Sequence, residues 1–240
     1  MNGQTKQISV RGISIGGGAP VTVQSMTNTD TRDVEATVAQ IQRLTDAGCD
    51  IVRSSVYDMT CASAIKEIKN RIQIPLVADI HFDYRLAIAA IENGADKLRF
   101  NPGNIGDESR VRSLVACAKQ HHTPIRIGVN AGSIEPALRQ KYGGATTEAM
   151  VESALKHVSI LEREGFTDIV LSLKASNVRE TVDANRAIHA RVDYPLHVGV
   201  TETGDVASGI IKSAAGIGAL LLDGIGDTIR VSLTDDPVRE

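Results

Sequence analysis

Eight short β-rich runs alternate with amphipathic helical patterns along this chain of 240 residues, and no other feature constrains its fold as strongly. The runs lie at residues 21–26, 50–56, 75–81, 97–101, 124–130, 168–176, 195–202 and 227–233. Between them, stretches such as 111–118 and 151–158 repeat apolar residues at the i, i+3, i+4, i+7 spacing of a helix face. Strands alternating with helices form parallel sheets with right-handed crossovers. Eight such units in a chain of this length predict an α/β protein with a (β/α)₈ TIM barrel.

The two ends of the pattern carry further predictions. Near the N-terminus, Ile8–Val10 and Ile13–Ile15 flank Arg11 and Gly12, which predicts a β-hairpin that closes the bottom of the barrel. After the eighth run only seven residues remain, 234–240, too few for a helix of ordinary length. We therefore expect residues 1–240 to form one TIM-barrel domain that lacks the eighth helix and leaves apolar surface on its first and eighth strands uncovered.

Composition excludes several classes of function. Acidic residues outnumber basic ones 29 to 26, so the chain has no basic footprint for nucleic acid. No apolar stretch reaches the ~20 residues that a membrane span needs, and the polar N-terminus lacks the core of a secretory signal. Cys49, Cys61 and Cys117 are widely spaced and form no CxxC, which favours reduced thiols in a cytoplasmic protein and predicts no metal site.

The polar residues inside the predicted strands give the strongest functional inference. Alternate residues of a barrel strand point toward the axis and the upper rim. On that parity five different strands contribute cations: Arg53, Arg99, Arg126, Lys174 and Arg230. Asp79 and Glu202 are the only carboxylates clearly on the same parity.

Like charges gathered in a partly desolvated cavity repel one another unless an anion or an acid compensates them. Guanidinium groups suit phosphate because their planar fork matches its oxygens. The pattern predicts a pocket for a small, multiply charged anion such as a diphosphate. The alternative is that each arginine pairs with a helix carboxylate. An ion pair with a helix carboxylate would be the better explanation for a single arginine. Five cations at the strand ends, where barrel active sites lie, favour a shared pocket instead.

Several long motifs resemble one enzyme family. In order they are IGGGAPVTVQSMTNTDTRDVEATVAQI, PLVADIHFDYRLA, KLRFNPGNIG, PIRIGVNAGS, SLKAS and DGIGDTIRVSL. From about Ile13 to its last residue the chain resembles the 4-hydroxy-3-methylbut-2-enyl diphosphate synthases, iron–sulfur oxidoreductases of non-mevalonate isoprenoid (isoprene) biosynthesis. The resemblance implies reductive ring opening and dehydration of 2-C-methyl-D-erythritol 2,4-cyclodiphosphate.

The resemblance also implies roles for individual residues. The positions that match the family's diphosphate-holding residues are Arg53, Arg99, Asn101, Arg126, Asn130, Lys174, Arg230 and Ser232. Glu202 matches an acidic residue near the reacting carbons, which implies a proton donor, and Asp79 and His81 match a DIH motif on the same rim. Two local departures are SSVYD, which follows Arg53 in place of a hydrophobic-proline phrase, and Thr203 in place of a usual alanine.

A larger departure concerns the cofactor. The family carries a second domain whose three cysteines and one glutamate hold a [4Fe-4S] cluster, and the cysteines of this sequence do not match those positions. The resemblance further implies a homodimer and flavodoxin or ferredoxin as electron donor. We therefore expect these 240 residues to bind the cyclodiphosphate without turning it over.

Two rival functions stay open at this stage. A dihydropteroate synthase-like pterin-binding barrel also places Asp, Asn, Lys and Arg at its upper rim. The absence of Trp and an aromatic content of 3% count against a flat aromatic ligand. The other rival is a non-catalytic module that binds phosphorylated metabolites.

Overall fold

A computed structural model describes residues 4–104 and 107–240 and confirms the predicted barrel. The antiparallel N-terminal hairpin consists of β1 (Ile8–Val10) and β2 (Ile13–Ile15). The eight parallel strands that follow are β3 (Thr22–Met26), β4 (Ile51–Ser55), β5 (Leu76–Asp79), β6 (Lys97–Arg99), β7 (Ile125–Asn130), β8 (Ile169–Lys174), β9 (His197–Val198) and β10 (Thr228–Ile229).

The strands form one sheet in the order β8-β7-β6-β5-β4-β3-β10-β9. A parallel bridge between Leu171 and Leu196 joins the two ends of this order and closes the barrel. β9 and β10 are much shorter than the runs predicted at 195–202 and 227–233. Gly199 directly follows β9, and a Cβ there would overlap the carbonyl of Arg230, which directly follows β10, so the two backbones lie unusually close where both strands end. The backbone there leaves the regular ladder while it still lines the upper rim.

Helices connect the strands and cover the outside of the barrel. They are α1 (Val34–Asp46), α2 (Met59–Arg71), α3 (Tyr84–Glu92), α4 (Glu108–Gln120), α5 (Pro136–Tyr142), α6 (Thr147–Arg163), α7 (Val178–His189) and α8 (Val206–Leu222). Most begin at a side chain that accepts a hydrogen bond from the first turn, as Asp58 does from the Cys61 amide and Asp205 from the Ser208 amide. These caps fix where each loop at the upper rim ends.

The hairpin closes the bottom of the barrel, as predicted. Ile8, Val10 and Ile15 are buried in a separate apolar cluster with Ile51, Val77 and Val170 of the barrel strands. Arg11 and Gly12 both have positive φ, 49° and 84°, as a two-residue hairpin turn of type I′ requires. The lower end of the barrel is therefore filled by hydrocarbon, and polar side chains are confined to the layers above it.

In the described part of the chain β10 is followed by a 3-10 turn, Pro237–Arg239, and not by a helix. This turn contacts β3 and α1. Val21 and Val23 next to it remain 41% and 38% exposed, which agrees with the expectation of partly uncovered strands. Among the described residues, no helix combines the length and the apolar character needed to cross a membrane.

Candidate anion-binding site

The five predicted cations meet in one pocket at the C-terminal ends of the strands. Arg53 comes from β4, Arg99 from β6, Arg126 from β7 and Lys174 from β8, while Arg230 directly follows β10. Neutral residues complete the lining: Gly128, Asn130, Ser172, Val200, Thr201 and Ser232. Strand parity brings these side chains together, because residues of one parity face the barrel axis.

One carboxylate lies among the cations as predicted. The Asp79 side chain is 5% exposed, and its two oxygens lie 3.6 Å from Arg53 Nε and 3.5 Å from Arg99 Nη1. Burial alone would raise the pKa of Asp79, but the charges of Arg53 and Arg99 outweigh it and hold the pKa below its ordinary value. Asp79 therefore stays ionised and holds two of the five cations in place.

A second carboxylate was missed in the sequence. Glu240 accepts hydrogen bonds from Arg230 Nη2 at 2.8 Å and from Nε at 3.0 Å, and its side chain is only 3% exposed. It also accepts from the Ser25 hydroxyl and the Leu233 amide. No sequence signal pointed to Glu240, since it lies beyond the last strand, where strand parity no longer applies.

Arg126 and Lys174 have no carboxylate partner within ion-pair distance among residues 4–104 and 107–240. Arg126 is 2% exposed, and its Nε has no hydrogen-bond partner in the part of the chain that the structure describes. Burial lowers the pKa of both groups, and neighbouring cations lower it further. Five cations with two carboxylates, Asp79 and Glu240, leave the pocket electropositive, and an anion there would gain charge-assisted hydrogen bonds from the two cations that have no ion-pair partner.

Asn101 and Asn130 have different surroundings. Asn101 is 8% exposed, and its side-chain amide forms hydrogen bonds with the backbone of Gly128. Asn101 therefore supports the wall of the pocket and does not line the pocket itself. Asn130 lines the pocket at the end of β7, where its backbone amide lies 3.4 Å from the Ser133 hydroxyl. Ser232 also lines the pocket, and its carbonyl accepts from the Thr203 hydroxyl at 2.6 Å.

His81 and Glu202 lie outside the lining of the cationic pocket. β5 ends at Asp79, so His81 does not continue the strand parity and lies exposed beside Tyr57 and Phe82 in a separate cleft. Its charge still contributes to the lowered pKa of Asp79.

The assignment of Glu202 to a strand face was wrong. β9 ends at Val198, and Glu202 lies in the loop that follows, with a left-handed φ of 51°. Its exposed side chain lines a neighbouring cleft with Ser176, Asn177 and Lys212.

The cysteines do not fit an iron–sulfur cluster. Cys49 follows α1 and Cys61 lies in α2, both buried, while Cys117 lies half-buried in α4. In the described ranges no three His, Cys, Asp or Glu side chains come close enough together to hold a metal ion. A cluster needs its thiolates gathered at one place, so the described residues do not supply the ligands of an iron–sulfur cluster.

A closed parallel barrel with a cationic pocket at its C-terminal end defines the class as a TIM-barrel protein. The chain belongs to the GcpE TIM-barrel domain family, whose sequence profile matches residues 5–240.

Curated relatives agree with this assignment. A protein of Caldanaerobacter subterraneus subsp. tengcongensis named 4-hydroxy-3-methylbut-2-en-1-yl diphosphate synthase (flavodoxin) is 62% identical over 98% of this chain. A protein of the same name from Geobacter sulfurreducens is 58% identical over 100% of it. The chain spans about two thirds of the length of these relatives, 66% of the first and 68% of the second.

Solved structures of other enzymes share the fold at low identity. Dihydropteroate synthase of Yersinia pestis superposes with a TM-score of 0.64 at 13% identity, covering 96% of this chain and 93% of that one. The N-acetylneuraminic acid synthetase of Leptospira borgpetersenii gives 0.64 at 14% identity, covering 95% and 78%. At such low sequence identities the similarity shows only that the proteins share the barrel fold.

Proposed function

We propose that this chain is the substrate-binding barrel of a 4-hydroxy-3-methylbut-2-enyl diphosphate synthase and that its cationic pocket holds 2-C-methyl-D-erythritol 2,4-cyclodiphosphate. The observation that carries the proposal is the pair Arg126 and Lys174, two buried cations without a carboxylate partner in the described residues. A cyclic diphosphate brings two adjacent phosphates, and each would pair with cations that the protein leaves uncompensated. The names of the 58–62% identical relatives support the same substrate class.

In this proposal the chain binds and orients the ring. Arg53 and Arg99, held by Asp79, and Arg230, held by Glu240, enter the complex already oriented, which lowers the ordering cost of binding. Asn130, Ser172 and Ser232 add neutral hydrogen bonds to the phosphate oxygens. Asn101 acts indirectly, through the backbone of Gly128.

The reaction is a reduction: two electrons and two protons open the ring and release water. We propose that Glu202, in the cleft next to the pocket, supplies a proton near the reacting carbons and that His81 approaches the substrate from the other side of the same rim. Further parts of the proposal are flavodoxin or ferredoxin as electron donor, a [4Fe-4S] cluster held by ligands other than Cys49, Cys61 and Cys117, a homodimer, and a cytoplasmic location. The relatives' printed names support flavodoxin.

A pterin-binding barrel is the second candidate, because dihydropteroate synthases share this fold. The residues that line the pocket do not favour a pterin. The pocket residues in the described ranges are five cations, polar groups, Gly128 and Val200, with no aromatic ring on which a pterin could stack. A module that binds phosphorylated metabolites without catalysis would use the same cations.

Calorimetric titration with the cyclodiphosphate and with a dihydropterin tests the proposal. We expect 1:1 binding of the cyclodiphosphate, loss of at least about tenfold in affinity in Arg126→Met, and no binding of the pterin. Arg179→Met, on a side chain that is 90% exposed, is the matched control and should bind as the wild type does. Pterin binding, or cyclodiphosphate binding that ignores Arg126, would overturn the proposal.

A further inference from the structure

A layer of buried polar side chains lies below the cationic pocket, on the same face of the strands. We call Gln24, Lys97 and His197 the interior polar layer; they are 1%, 0% and 0% exposed. Gln24 Nε2 and Oε1, Lys97 Nζ and His197 Nε2 have no hydrogen-bond partner in the described chain. Lys97 lies two residues before Arg99 on β6, so the two share a parity.

The surroundings of Lys97 disfavour an ammonium ion. Val77 is its neighbour on β5, and the hairpin below contributes hydrocarbon. The charges that act on Lys97 are those of Arg126 and Arg53, and Lys97 together with Lys174 acts in turn on the buried His197. The two carboxylates of the region lie against other cations: Asp79 against Arg53 and Arg99, and Glu240 against Arg230.

These surroundings affect the two titratable side chains of the layer differently. Burial, followed by the charges of Arg126 and Arg53, lowers the pKa of Lys97 to about 7. Burial, followed by the charges of Lys174 and Arg126, holds the pKa of His197 well below its ordinary value, so His197 stays neutral. Near neutral pH Lys97 is therefore the group of this layer whose charge a nearby anion can change.

We propose that Lys97 is a proton-accepting residue of the anion site: its amine is neutral in the empty barrel and becomes an ammonium ion when a multiply charged anion fills the pocket. The proton comes from solvent, and no covalent bond to the anion forms. This inference rests on the proposed anion-binding function. Burial and Arg126 lower the pKa of Lys174 as well, but the charge of Glu240 opposes that shift, and Lys174 lines the pocket, where it would contact the anion directly. Lys97 has no such opposing carboxylate and lies below the pocket lining.

Physically, the anion cancels the repulsion from Arg126 and Arg53 and supplies a field that favours positive charge beneath it. Proton uptake and anion affinity are then linked, since each favours the other.

The test is calorimetric titration with inorganic sulfate at constant ionic strength, at pH 8, in buffers of different ionisation enthalpy. Sulfate is a divalent anion that does not itself titrate near this pH. We expect uptake of about one proton per sulfate bound and an affinity that falls by up to about tenfold per pH unit above pH 7. Lys97→Met should bind sulfate more weakly, with little proton uptake and a flat pH profile. Lys66→Met, on an exposed position of α2, is the matched control and should keep both wild-type properties.

The outcomes separate the two proposals. Sulfate binding without proton uptake, or uptake that persists in Lys97→Met, would overturn the role of Lys97 and leave the anion pocket standing. Absence of sulfate binding at any pH would overturn both. The dependence of sulfate affinity on pH in the wild type tests the role of Lys97 even if Lys97→Met fails to fold. An affinity that does not change with pH would contradict this role without any variant.

Discussion

Asn101, two residues past the end of β6, exchanges two hydrogen bonds with Gly128 of the neighbouring strand β7. The Asn101 amide nitrogen donates to the Gly128 carbonyl at 2.8 Å, and the Gly128 amide donates to Asn101 Oδ1 at 2.9 Å. Gly128 itself lines the cationic pocket. A side chain just outside the pocket thus fixes the backbone that forms part of its wall.

Replacing Asn101 with alanine should leave the Gly128 amide and carbonyl buried without these partners. We expect the free energy of unfolding to fall by about 1–3 kcal/mol, measured by urea denaturation, together with weaker anion binding. Asn70→Ala, on an exposed position of α2, should change neither quantity by more than about 0.5 kcal/mol. Equal effects of the two variants would contradict a specific role for Asn101.

Asp79→Asn removes the charge that holds Arg53 and Arg99 together in the empty pocket. We expect the empty protein to lose about 1–3 kcal/mol of stability, because charge-assisted contacts are lost and the cations repel each other. Sulfate should then raise the melting temperature of the variant by more than that of the wild type, because relief of the repulsion between the two cations outweighs the added cost of ordering their side chains. A smaller increment in the variant would mean that Asp79 contributes to anion binding directly.

Two glycines near the pocket should respond differently to alanine. A Cβ on Gly128 would lie 2.9 Å from Arg99 Nε, the mobile end of a long side chain. Gly128→Ala should therefore fold and bind anions more weakly, since Arg99 must move. A Cβ on Gly199 would instead overlap the Arg230 carbonyl, which is backbone. Gly199→Ala should cost stability, about 1–3 kcal/mol or more. Thermal unfolding and sulfate titration of both variants check this contrast, and the reverse order of stabilities would refute it.

The lowered pKa of Lys97 makes stability depend on pH. The unfolded chain keeps this proton up to the ordinary pKa of 10.5, whereas the folded barrel releases it near 7. Between these values the unfolded state binds more protons, so the empty protein should gain stability as pH rises from 7 to 10, by up to about 1.4 kcal/mol per pH unit. Urea denaturation at several pH values should show a smaller slope in Lys97→Met than in the wild type. Identical slopes would mean that Lys97 is not the titrating group.

Periodicity predicted most of the fold, because it depends on local rules. The alternation of strands and helices and the Arg11-Gly12 turn each depend on short stretches of residues, so the sequence displays them directly. Strand parity also brought the five cations together correctly, since a barrel strand has only two faces.

Parity failed where the strands end early. β9 and β10 have two residues each, so Glu202 and the residues near it lie in a loop, where strand parity does not apply. The contact of Glu240 with Arg230 is a tertiary contact that no local pattern encodes. The sequence could have placed Lys97 on the inner face of β6, because it lies two residues before Arg99 and shares its parity. Its lack of a partner could be recognised only from the packed interior.

The most direct measurement of the central claim is a crystal structure of the chain with 2-C-methyl-D-erythritol 2,4-cyclodiphosphate. The account predicts both phosphates in the cationic pocket, with phosphate oxygens within hydrogen-bond distance of Arg126 and Lys174 and with the ion pairs of Asp79 and Glu240 kept. A ligand bound elsewhere, or a pocket in which Arg126 and Lys174 contact no phosphate oxygen, would contradict it.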